Sequence, residues 1–187
     1  MANILFVNAC VRPNSRTLDL VKYLLTKLNG EVEEIKLYEK DISPLDLSKL
    51  SLRDKAHKDN DFSNEEFNLA KQFSSAETIV IATPYWDLSF PSVLKTYFEN
   101  VTVTGLTFSY DKTGKPVGLC KAKKLIYVTT SGGPIYHNFG YDYVSTLAKT
   151  FYGIDKVDFI SAEGLDIYGA DVSRIMDNTK RLIDTKY

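Results

Sequence analysis

Thr78-Ile79-Val80-Ile81-Ala82-Thr83-Pro84-Tyr85-Trp86-Asp87-Leu88-Ser89-Phe90-Pro91-Ser92-Val93-Leu94-Lys95 is the stretch on which the fold turns. Its first five residues form a short apolar run rich in β-branched side chains, the pattern of a buried strand. Pro91 suits the first turn of a helix, and Ser89 is the expected cap. Strand, loop and helix in that order describe one unit of an open parallel α/β sheet, and such sheets bind ligands at the loops following the carboxyl ends of their strands. Tyr85 and Trp86, the only tryptophan of the chain, lie between Pro84 and Pro91. They either line a flat aromatic ligand or cap the core.

Upstream, Ile4-Leu5-Phe6-Val7 reads as a strand covered on both faces. A polar segment from Asn8 to Thr17 leads into Leu18, Val21, Leu25 and Leu28, a helical face ending at Asn29-Gly30. The next strand, Val32 to Leu37, carries Glu33, Glu34 and Lys36 and suits a sheet edge. Residues 41 to 61 show no sustained period and predict an excursion with a helical turn or two. Ser63 and Glu66 form a capping box ahead of Phe67, Ala70 and Phe73. Downstream of the opening stretch, Thr107-Phe108-Ser109-Tyr110 and Pro116-Val117-Gly118-Leu119 flank a turn of hairpin composition. Lys124 to Thr129 is then a strand, Phe139 to Tyr152 a helix, Val157 to Ala162 a strand, and a closing helix begins at Asp171. Five strands alternating with helices predict one α/β domain over residues 1–187. Its architecture is a flavodoxin-like three-layer sandwich, with a five-stranded parallel sheet of order 2-1-3-4-5 and helices on both faces. The crevice lies where the strand order reverses, between the first and third strands, and collects the loops after the first, third and fourth.

Composition narrows the partners. With 187 residues, 44% hydrophobic and 25% charged, the chain is the size of one domain with a full core. A formal net charge of −1 gives no electrostatic case for nucleic acid or an anionic membrane. Cys10 and Cys120 have neither metal-ligand spacing nor disulfide density, so no metal is expected. Met1-Ala2-Asn3 leads into a strand without a signal-peptide pattern, and no apolar run approaches membrane-spanning length. The expectation is a cytoplasmic protein.

Three loops carry the chemistry. Ala9-Cys10-Val11-Arg12-Pro13-Asn14-Ser15-Arg16-Thr17 precedes a helix N-terminus, where unsatisfied N–H groups and the helix dipole favour an anion. Ser15 and Thr17 add hydroxyls, and Arg12 or Arg16 adds charge, so a phosphate fits as well as an ordinary capped helix start does. Neither a Gly-x-Gly-x-x-Gly fingerprint nor a P-loop is present. The second loop is the aromatic one, Tyr85 to Leu88. In the third, Thr129-Thr130-Ser131-Gly132-Gly133-Pro134, paired glycines let the backbone approach a ligand, or simply make a turn.

Together these loops resemble those of the FMN-dependent NADH-azoreductases and the related NAD(P)H:quinone reductases. Pro84, Trp86, Pro91, Leu94 and Lys95 fit the Pro-x-x-Asn-Phe-x-x-Pro-x-x-Leu-Lys segment that borders the isoalloxazine ring in that family, with Asp87 where Asn is usual and Leu88 where Phe is usual. Ser15-Arg16-Thr17 overlays the Ser-x-Ser/Thr element of the phosphate loop, with Cys10 where a serine is common. Thr130-Ser131-Gly132-Gly133 is similar to Ser-Arg-Gly-Gly of the azoreductases and Thr-Thr-Gly-Gly of the quinone reductases. Tyr136 and His137 follow at roughly the point where the quinone reductases place a tyrosine and a histidine near the flavin. The resemblance implies FMN as cofactor, NADH or NADPH as donor, a quinone or azo acceptor reduced in a ping-pong cycle, and a homodimer. No side chain is expected as an obligatory acid or base, because hydride transfer is the flavin's chemistry. The rival readings are a flavodoxin-like electron carrier, disfavoured by the near-neutral charge, and a noncatalytic flavin or nucleotide sensor.

Overall fold

The computed structural model describes residues 3–187, and Met1 and Ala2 lie outside the described residues. In chain order the main elements are β1 (Asn3–Asn8), α1 (Arg16–Leu25), β2 (Glu31–Lys36), α2 (Leu47–Asp59), α3 (Asn68–Ser75), β3 (Thr78–Ala82) and α4 (Ser92–Val101). They continue with β4 (Phe108–Tyr110), β5 (Pro116–Gly118), β6 (Lys124–Thr130), α5 (Phe139–Leu147), β7 (Lys156–Ala162) and α6 (Val172–Lys186). Five strands form one parallel sheet in the order β2-β1-β3-β6-β7, while β4 and β5 pair separately as an antiparallel hairpin. With the hairpin set aside, this is the 2-1-3-4-5 order.

The alternation of strand side chains builds two cores. Ile4, Phe6, Val80, Ile126 and Val128 face α1 and α6, where they meet Leu20, Val21, Leu24, Met176 and Ile183. Leu5, Val7, Ile79, Ile81, Leu125 and Tyr127 face the other way, onto Ala70, Phe73, Leu94, Phe98 and Val144 of α3, α4 and α5. The central strands are therefore covered on both faces, which is why they read as unbroken apolar runs. Burying a side chain such as Leu24 contributes roughly 1.5–3 kcal/mol. The edge strand β2 buries only Ile35, so glutamates tolerate its other positions.

Several local expectations are corrected. Residues 41 to 61 hold a 13-residue helix, α2, rather than a turn or two, capped by Asp46, whose carboxylate accepts from the Lys49 N–H. Ser63 does not cap the next helix. Its N–H donates to Asp61, and Asn64 takes the capping role by accepting from the Glu66 N–H ahead of a short 3-10 turn. Helix α1 ends at Leu25, before Asn29-Gly30, because the Thr26 hydroxyl and N–H turn back onto the last carbonyls. Pro91 is the residue before α4 rather than within its first turn, and Ser89 does not cap that helix. The helix predicted to Tyr152 changes winding at Ala148, where a π-helical turn runs to Tyr152 and is closed by Gly153 at φ 72°.

Candidate functional site

The loops at the carboxyl ends of the strands extend the sheet before they diverge. The Ala9 N–H donates to the Ala82 carbonyl at 2.8 Å, that of Thr83 to Val128 at 3.1 Å and that of Tyr85 to Thr130 at 3.1 Å. Between the diverging loops lies a cleft of about 370 Å³, within the range of small-molecule sites. Cys10, Ser15, Arg16, Thr17, Tyr85, Trp86, Thr130, Ser131 and Gly132 line it, together with Arg12 and Pro84 of the same loops.

One wall is the start of α1. Ser15 caps the helix by accepting from the Leu18 N–H at 3.3 Å. Thr17, buried, shares a 2.7 Å hydrogen bond with the Thr130 hydroxyl and so joins the first loop to the third. The loop leaves β1 through Asn8, a buried amide that donates to Glu34 at 2.8 Å and accepts from the Cys10 N–H at 2.9 Å. Burial pushes the Cys10 thiol up, against the opposing hydrogen bonds of Ser15 and Thr17, so the side chain stays neutral at physiological pH. The wall holds a helix N-terminus, two hydroxyls and two guanidinium groups, the donor set of an anion site.

The opposite wall is Pro84, Tyr85 and Trp86. Trp86 and Ser89 exchange both backbone hydrogen bonds, at 3.1 and 2.8 Å, around a two-residue turn in which Asp87 and Leu88 have φ of 50° and 67°. Positive φ at both central positions is the type I′ pattern, which favours Asn-Gly. This pairing engages Ser89 and withholds it from α4. Asp87 and Leu88 sit at the exposed tip of this turn, outside the lining of the cleft.

The glycine loop forms the far side, with Thr130, Ser131 and Gly132 in the lining. A Cβ on Gly132 would stand 2.5 Å from Asp166 Oδ2, so this glycine makes room for a carboxylate. Gly133 faces open space and does not line the cleft. The Ser131 hydroxyl is spent on the Gly133 carbonyl at 2.5 Å. Tyr136 is 78% exposed and outside the cleft lining, and His137, also outside it, stacks on Phe139 with ring centroids 5.6 Å apart. The His137 carbonyl nevertheless accepts from the Tyr85 hydroxyl at 2.7 Å, tying the second loop to the third.

A fourth loop, beyond the three expected, completes the cleft. Leu165 and Asp166, after β7, line the cleft with Val11 and Asn14. The Arg16 Nη1 donates to Asp166 Oδ1 at 2.8 Å and to the Leu165 carbonyl at 3.3 Å. The available signal was the position of the last strand, next to β6 at the same sheet end, which brings its trailing loop to the same crevice.

The family described as having a flavodoxin-like fold matches residues 2–185. An FMN-dependent NADH:quinone oxidoreductase of Coprothermobacter proteolyticus is 36% identical, over 96% of each chain. A second protein of that description, from Clostridium acetobutylicum, is 35% identical over 96% of this chain and 94% of its own. The chain belongs to this flavodoxin-like oxidoreductase family. The crystal structure of an azoreductase from Bacillus anthracis superposes with a TM-score of 0.86 at 25% identity, covering 100% of this chain and 98% of that one. An oxidoreductase of this family needs a site for an anionic, partly aromatic cofactor, and the cleft offers donors on one wall and flat apolar surface on the other.

Proposed function

We propose that the protein is an FMN-dependent oxidoreductase that passes a hydride from NADH or NADPH through FMN to a quinone or azo acceptor. One observation carries the reading: a single cleft joins the hydroxyl- and arginine-lined start of α1 to the wall made by Pro84, Tyr85 and Trp86. FMN bound in this cleft would supply two-electron redox chemistry between the nicotinamide and the second substrate.

The chain's own residues bind and orient. Ser15, Thr17 and Arg16 hold the phosphate at the α1 N-terminus, where partial positive charge meets the phosphate's −1.5 to −2. Cys10 adds a weak S–H donor. Tyr85 and Trp86 present flat surface to the ring system, and the loop of Thr130, Ser131, Gly132 and Gly133 borders it on the opposite side, where the two glycines offer backbone N–H groups. Asp87 and Leu88 extend the ring wall, and Tyr136 and His137 meet the incoming substrate. No side chain serves as an obligatory acid or base.

Residues 1–187 act as one domain in the cytoplasm, and two chains form a homodimer. Trp86, Leu88, Tyr136, Ile167 and Tyr168 on the loops, with Phe139 at the start of α5, support this pairing, since all are exposed and a second copy would cover them. The test is initial-rate kinetics of the FMN-loaded protein, with NADH varied at several fixed benzoquinone concentrations. Parallel double-reciprocal lines are expected. Converging lines would overturn the ping-pong order, and no NADH oxidation would overturn the assignment in favour of a carrier or sensor.

A further inference from the structure

We propose that Asp166 is a positioning residue for phosphate recognition, acting through Arg16. The inference rests on FMN being the ligand of the cleft. Three independent features place this carboxylate.

First, the loop that carries it is laced to the glycine loop. The Leu165 N–H donates to the Ser131 carbonyl at 3.1 Å, that of Asp166 to Gly132 at 2.9 Å and that of Gly164 to Gly133 at 3.3 Å. Glu163 reinforces the lacing, one carboxylate oxygen accepting from the Ile135 N–H at 2.9 Å and the other from the Ser161 hydroxyl at 2.9 Å. The backbone of residue 166 is therefore fixed relative to the cleft, although its side chain is 69% exposed. Second, the carboxylate rests against Gly132, where any side chain would collide with it. Third, it holds Arg16 by a single nitrogen. Nη1 takes both Asp166 Oδ1 and the Leu165 carbonyl, while hydrogen bonds from Nε and Nη2 are absent among the described residues. Those two nitrogens form one edge of the guanidinium fork, the edge that engages a phosphate with two parallel hydrogen bonds.

Arg16 is also the first residue of α1. An unanchored arginine would pay rotamer entropy on gripping a ligand there. Anchored through Nη1, it keeps its free edge at the helix end that attracts the anion. The negative charge of Asp166 opposes a phosphate, but both groups are solvent-screened and the carboxylate is already paired, so positioning outweighs repulsion.

The test compares FMN with riboflavin, which lacks the phosphate, using quenching of flavin fluorescence by the protein and its variants. Asp166→Ala is expected to raise the FMN dissociation constant about threefold to fivefold and to leave riboflavin unchanged. Asp166→Asn, which keeps an acceptor oxygen, is expected to fall between. In an Arg16→Gln background, Asp166→Ala is expected to add nothing. Tighter FMN binding by Asp166→Ala would overturn the inference by showing that the carboxylate competes with the phosphate. Equal losses for FMN and riboflavin would overturn it by showing general support of the loop. No FMN binding by the unaltered protein would overturn the functional reading and this inference with it, whereas normal binding with unchanged variants would overturn this inference alone.

Discussion

The two walls of the cleft are built on opposite principles. The α1 wall is laced by side chains and rooted in two buried residues, Asn8 and Thr17: Asn8 spans Glu34 and the Cys10 N–H, Thr17 meets Thr130, and, nearer the surface, Arg16 meets Asp166. The aromatic wall ends in an exposed turn whose central residues, Asp87 and Leu88, both adopt left-handed backbone, a conformation that costs a residue such as leucine about 1–2 kcal/mol. Rigid donors suit a phosphate, which has one size and one charge. A strained and exposed turn suits a surface that must accept a nicotinamide and then a different acceptor. If that contrast is right, substitutions on the first wall lower both stability and cofactor affinity, whereas relief of strain on the second raises stability.

The largest expected effect belongs to Asn8→Leu. It strands the Cys10 N–H and removes the partner of Glu34, which costs about 2 kcal/mol and lowers the melting temperature by about 4–8 °C. A melt that does not move would show the first wall to be less rigid than described. Next comes Thr17→Val, which keeps the side-chain shape but breaks the bond to Thr130. FMN affinity, read by fluorescence quenching, is expected to fall about tenfold, equivalent to about 1.4 kcal/mol. Leu88→Gly changes the sign: by allowing positive φ freely it raises stability by about 0.5–1 kcal/mol in a thermal melt. Destabilisation would mean that Leu88 makes contacts that outweigh its strain.

Cys10 gives the smallest effect and the pH dependence. Its raised thiol pKa means that the folded protein holds the proton more tightly than the unfolded chain does. The stability contributed by the neutral thiol is therefore full below the ordinary cysteine range, and it is lost as pH rises through the raised value. Alkylation of Cys10 by iodoacetamide is expected to lag behind that of a free thiol at pH 8, to accelerate as pH rises, and to be blocked by FMN. Cys120, its thiol pushed up to about 12 by burial, should lag further. Mass spectrometry of the labelled peptides distinguishes the two.

The contrast also explains what the sequence could reveal. Strands β1, β3 and β6 were legible because burial on both faces leaves an apolar run, and the edge position of β2 because its glutamates are solvated. Helix α2 was not, because it buries only Ala56 and shows no apolar stripe. It is held instead by distant polar contacts, with Arg53 donating to the carbonyls of Glu99 and Asn100 and Lys49 paired with Glu66. The same holds in the site. Ser15 and Thr17 could be placed from a local helix start, but the pairing of Arg16 with Asp166 spans 150 residues and has no local signature. Paired glycines suggested close approach to a ligand, yet Gly132 is explained by the carboxylate behind it.

The most direct test of the account follows the flavin through both half-reactions. Purified protein is mixed with one equivalent of FMN under nitrogen, titrated with NADH and then with benzoquinone, and the visible absorbance is recorded throughout. A bound-flavin spectrum that bleaches with one equivalent of NADH and returns with one equivalent of quinone is the predicted result. A bound spectrum that NADH leaves unchanged would contradict the assignment as an oxidoreductase, and free FMN throughout would contradict the cleft as its site.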